Sequence, residues 1–231
     1  ISMFSVVYAD DILTKVFLFA GYVFSVCLIG YFQTWLADKF GDDTAKRLGW
    51  FTLNPFVHVR LMGVIFLMLL RVAWTRPVPY DTRMVTGSWR PIKRFLIATS
   101  GLLCAIALAV GSGVTMFLLN GSMAPSIGSS VRQVAHLFPG SSAFVVMAVV
   151  ALSTLFTVNL SLAFFSAIFA AVNPIVVWLL KRYPHWSVQS EWVVMAVLIV
   201  LVFIFPEGLF YSAILSLINL ISVMLRYLVI G

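Results

Sequence analysis

The feature that most constrains this chain is the length of its charge-free stretches. Val16 to Ala37 is 22 residues without a charge, and Phe144 to Leu180 is 37. An α-helix rises about 1.5 Å per residue, so about 20 apolar residues cross the roughly 30 Å hydrocarbon layer of a bilayer. Strands of a membrane barrel read instead as alternating segments of roughly 10 residues, far shorter than these. Composition points the same way. Hydrophobic residues make up 62% of the chain and charged ones 10%, against roughly 25% charged in a soluble domain. A soluble fold of this size could not hide so much apolar surface. The chain reads as an all-α, polytopic helical membrane protein, which excludes soluble enzymes, disordered chains and disulfide scaffolds.

Charges punctuate the spans. The first is 16–37, followed by a polar stretch from Asp38 to Arg60. Leu61–Leu70 is then only 10 apolar residues, bracketed by Arg60 and Arg71. That length fits a re-entrant or short segment, 61–74, better than a full crossing. Spans follow at 95–119 and 143–180, the second with a kink expected near 174 from Asn173-Pro174. Between them, Asn120 to Ser142 reads as a loop from its Gly, Ser and Pro content. The segment 192–225 reads as a C-terminal helical hairpin that turns at Pro206-Glu207-Gly208. The whole is read as a single transmembrane domain, 1–231.

Basic residues choose the topology. With 61–74 re-entrant, Lys39, Lys46, Arg47, Arg60, Arg71, Arg76, Arg83, Arg90, Lys93, Arg94, Lys181, Arg182 and Arg226 share one side, leaving Lys15 and Arg132 on the other. The division is 13 to 2, and the positive-inside rule assigns the larger set to the cytoplasm. The expected location is a bacterial-type inner membrane, N-terminus outside and C-terminus cytoplasmic. The net charge of +7 would suggest nucleic acid in a soluble domain, but here it marks topology, and no nucleic-acid partner is expected. Arg83, Arg90, Lys93 and Arg94 are candidates for contact with anionic lipid. Trp50, Trp74, Trp89, Trp186 and Trp192 flank spans, as an aromatic belt would. Cys27 and Cys104 lie in apolar segments and read as packing residues.

One stretch carries an irregular polar pattern: Gly41-Asp-Asp-Thr-Ala-Lys-Arg-Leu-Gly49, then Thr52-Leu-Asn-Pro55, then His58, with Pro77-Val78-Pro79 further on. This pattern resembles the site-2 protease family of intramembrane zinc metalloproteases, in which a similar run directly follows the zinc-binding helix. Gly41, Asp42, Thr44, Asn54, Pro55 and His58 are the family-motif positions, with structural roles implied. Ser100-Gly101 and the run from Asn159 to Phe165 resemble later family segments more weakly. The resemblance implies a site-2 protease-like core. It also implies where zinc chemistry would reside: two His and a Glu of an HExxH turn, and a later Asp.

Those positions hold other residues here. Counting back from Gly41, the HExxH turn falls on Ile29-Gly30-Tyr31-Phe32-Gln33, so Ile29 and Gln33 replace the His ligands and Gly30 the general base. Counting on from Asn159, the Asp position falls on Pro174, and no acidic residue lies between Asp81 and Glu191. The three histidines, His58, His136 and His185, offer no pair at i, i+4. No metal site or cofactor is expected, and no catalytic residue. The polar residues inside apolar segments, Gln33, Thr34, Asn159 and Asn173, read as interhelical hydrogen-bonding groups. The sequence thus predicts an inactive homologue serving as a structural or regulatory subunit of a membrane complex. Ser212, Ala213 and Ser216 of the hairpin are candidate contacts to other membrane subunits. The competing reading is a transporter-like or lipid-handling protein that reuses the protease cavity.

Overall fold

Three helices are long and apolar enough to cross a membrane: Ile12–Lys39, Arg90–Leu119 and Ala143–Val172. They belong to a computed structural model that describes residues 3–70, 73–120, 134–136, 139–182 and 196. Among the described residues the regular structure is helical, without strands. The protein is an all-α polytopic membrane protein. The hairpin at 192–225, apart from residue 196, lies outside the described residues, and with it Ser212, Ala213 and Ser216.

The helices are α1 (Met3–Lys39), α2 (Thr44–Arg47), α3 (Pro55–His58), α4 (Leu61–Leu70), α5 (Arg90–Asn120) and α6 (Ala143–Arg182). Several run past their charge-free stretches. α1 continues N-terminally through Asp10, Asp11 and Lys15, and α5 starts at Arg90 with Lys93 and Arg94 in its first turns. Charge limits the depth of a helix in lipid, but it does not stop backbone pairing beyond the hydrocarbon. Pro91 is tolerated in α5 because the first turn has no intrahelical partner for its missing N–H. α6 remains helical through Asn173 and Pro174.

The chain groups into two compact units, residues 1–166 and 167–231, where the sequence reads as a single domain. Within the first unit α1 packs along α5. Its core joins four helices: Tyr22, Val26 and Ile29 of α1, Leu67 of α4, Ala105 of α5, and Val158, Leu162 and Ala163 of α6, with Ala73 beside them.

α4 holds 10 residues, about 15 Å of helix. After it, residues 73–80 have no regular structure, so their backbone groups need partners from elsewhere. Side chains from the long helices supply two of them. The Ser161 hydroxyl of α6 accepts from the Ala73 N–H at 3.0 Å, and the Tyr22 hydroxyl of α1 donates to the Trp74 carbonyl at 2.6 Å. A further interhelical bond runs from the Asn159 amide to the Ser25 hydroxyl at 2.9 Å, with both residues buried.

Candidate functional site

The irregular polar pattern after α1 folds into an elbow with two similar stops. α1 ends where the Gly41 N–H reaches the Asp38 carbonyl and the Asp42 N–H reaches Ala37. α2 ends with the same pair of bonds, from Gly49 to Lys46 and from Trp50 to Ala45. Both are Schellman stops, which place one residue in the left-handed region. Gly41 has φ 97° and Gly49 has φ 81°, conformations that only glycine adopts without strain. The second stop carries its hydrophobic contact, since Trp50 and Ala45 are buried together with Val78.

Asp42 ties the elbow together. The residue is buried, 1% exposed, and its carboxylate accepts from the Thr44 N–H at 3.0 Å and from the Asp81 N–H at 2.7 Å. The first bond helps start α2; the second holds the chain after α4 against the end of α1. The Thr86 N–H adds a bond to the Phe40 carbonyl at 3.0 Å. Asn54 caps α3, its side chain accepting from the Phe56 N–H at 3.1 Å with Pro55 in the first turn. Thr52 joins through its hydroxyl, which accepts from the Asn54 N–H at 3.1 Å.

α3 delivers His58 back onto α1. The imidazole is 2% exposed, and its Nε2–H donates to the Thr52 carbonyl at 2.7 Å. A carbonyl can only accept, so this bond fixes the tautomer and leaves Nδ1 as an acceptor. That Nδ1 is buried without a hydrogen-bond partner among the described residues. Trp50 meets the ring edge-on, centroids 5.6 Å apart, and the Arg76 guanidinium lies 5.1 Å from the Trp50 ring centroid. Burial lowers the His58 pKa from its ordinary 6.5, with the Thr52 bond pulling the other way.

The imidazole lies directly over Gly30. A Cβ added at Gly30 would overlap Nδ1 and stand only 2.6 Å from Cε1. The other two positions of this turn are also engaged in packing. Ile29 is buried in the four-helix core, 3% exposed. The Gln33 amide lies against α5 at Gly101, where an added Cβ would come within 2.8 Å of Nε2. Thr34 turns inward, its hydroxyl donating to the Gly30 carbonyl at 2.9 Å.

The elbow therefore brings together Gly41, Asp42, Thr44, Asn54, Pro55 and His58, and sets His58 on Gly30. Pro174 lies on α6 within the second unit. Arg83, Arg90 and Arg94 are exposed. Lys93 is half-buried and engaged internally, donating to the Thr86 carbonyl at 2.8 Å and standing 5.7 Å from the Phe40 ring centroid. Among the described residues no three of His, Cys, Asp and Glu converge as a metal site would require. Sequence reasoning missed Tyr22, Ser25 and Ser161 as partners. Their signal was available: each is a hydrogen-bonding side chain within an apolar run.

No family model and no solved structure matches this chain. A local similarity does exist, to the protein "Putative zinc metalloprotease YwhC" of Bacillus subtilis (strain 168). The two are 45% identical over 51 residues, which is 22% of this chain and 23% of that protein. The match thus spans less than a quarter of the relative's length, and it supports a site-2 protease-like relationship.

Proposed function

We propose that this chain is a catalytically inactive site-2 protease-like membrane protein that serves as a structural or regulatory subunit of a membrane complex. The observation that carries the reading is the turn Ile29–Gln33. The resemblance assigns zinc ligands and a general base to this turn, yet Ile29 is core, the space beside Gly30 is filled by His58, and Gln33 lies against Gly101. Zinc needs three or four convergent nitrogen, sulfur or carboxylate donors, and these residues do not fit it. What this chain's residues do is hold an elbow rigidly against α1, a use of the fold that needs no chemistry.

The topology proposed with it has 61–74 re-entrant, the N-terminus outside and the C-terminus in the cytoplasm of a bacterial-type inner membrane. The length of α4 and the 13-to-2 division of basic residues support it. With Cys27 and Cys104 replaced by alanine, single cysteines at Lys46 and Thr82 should label from the cytoplasmic side. Labelling from opposite sides would mean that α4 crosses.

Extraction in several mild detergents tests the function. A stoichiometric protein partner is the expected result. A lone monomer carrying bound lipid or solute would favour the lipid-handling alternative and overturn the subunit reading.

A further inference from the structure

We propose that Gly30 and His58 are a matched pair: the side chain missing at position 30 admits the imidazole, which seats itself on the bare backbone of α1 as a plug. The geometry needs both partners. An added Cβ at Gly30 would overlap Nδ1 and reach within 2.6 Å of Cε1. Any side chain at position 30 therefore evicts the ring or displaces α1.

The seat is determined from three directions. The Nε2–H is held by the Thr52 carbonyl at 2.7 Å, Trp50 closes one edge, and α1 closes the Nδ1 side. Nδ1 has no hydrogen-bond partner among the described residues, and it lies where a Cβ of residue 30 would stand. A buried acceptor left in this state is unfavourable by itself, so packing and the Thr52 bond keep the ring in place. Thr52 and His58 belong to the elbow and Gly30 to α1. The pair is therefore a latch between the polar frame and the turn where the resemblance assigns the general base. That last link rests on the inactive-homologue reading; the latch itself rests on the contacts alone.

The consequence is directional. A chain bearing glutamate at position 30 cannot seat the ring this way, so reinstalling the carboxylate by Gly30→Glu removes the plug.

The test uses the full chain in detergent with ¹⁵N-labelled histidine, the His58 ring signals identified by their loss in His58→Gln. The wild type should give one tautomer, protonated at Nε2, that exchanges slowly with solvent. Gly30→Ala should move the His58 signals to those of a solvent-averaged imidazole and lower the melting temperature. Gly30→Ala combined with His58→Gly should melt above the sum of the two single losses, because the clash is gone. A wild-type ring protonated at Nδ1 or freely exchanging would overturn the proposal, even if no variant folds. Additive melting losses in folded variants would overturn it too. The ring signals decide the latch whether or not the wild type binds zinc, so this proposal and the functional reading can fail separately.

Discussion

In the elbow at residues 40–58, turn after turn is closed by a specific polar bond: Asp42 to two backbone amides, Asn54 to Phe56, His58 to Thr52, and a Schellman stop at each of two glycines. In the turn of α1 just before it, Ile29, Gly30 and Gln33 are placed by packing against the core, an imidazole and α5. The two regions are adjacent in sequence and touch in space, yet they are constrained differently. Backbone geometry dictates residue type in the elbow, since few side chains can cap an orphan amide or adopt a positive φ. Packing dictates only size and shape in the turn, and volume-conserving exchanges are tolerated there.

The largest effect that could break this contrast is at Asp42. Asp42→Ala strands the amides of Thr44 and Asp81 and should destabilise the protein by about 3 kcal/mol. Ile29→Leu should stay under about 1.5 kcal/mol. Denaturant titration in detergent compares them, and equal losses would erase the distinction drawn between the two regions. Gly41→Ala comes next. It forces a β-carbon into a left-handed backbone and to 2.5 Å from the Thr86 hydroxyl, for an expected loss of about 2 kcal/mol. A neutral outcome would mean that the first stop is not held as described.

The smallest effect sharpens the contact between the regions. Burial lowers the His58 pKa in the folded state, so the unfolded chain binds the proton more readily. Stability from this group is fully present above about pH 6.5 and is lost as pH falls below it. Melting temperatures between pH 7.5 and 5 should show that decline in the wild type and less of it in His58→Gln. An identical decline in both would assign the dependence to other groups.

Fold class was legible because charge-free lengths report directly on lipid: spans announce themselves at Val16–Ala37 and beyond Phe144. Helix ends were less so, since backbone pairing carries α1 and α5 past the charges that bound their apolar runs. The polar pattern from Gly41 to His58 signalled an ordered turn region, and its glycines sit at helix stops. What no pattern announced was the contact between Gly30 and His58. A glycine in an apolar helix carries no mark of what approaches it, and their meeting depends on how two Schellman stops and a capped turn aim α3. Lys93, read from the sequence as a candidate lipid contact, is also used by the fold to hold the Thr86 carbonyl, a partner that charge alone does not announce.

Whether the turn Ile29–Gln33 frames zinc is tested most directly by the metal content of the purified chain. Elemental analysis after extraction in zinc-containing, chelator-free buffer should find well under one zinc per chain, unchanged by His58→Ala. One tightly held zinc per chain, lost in His58→Ala, would contradict the account.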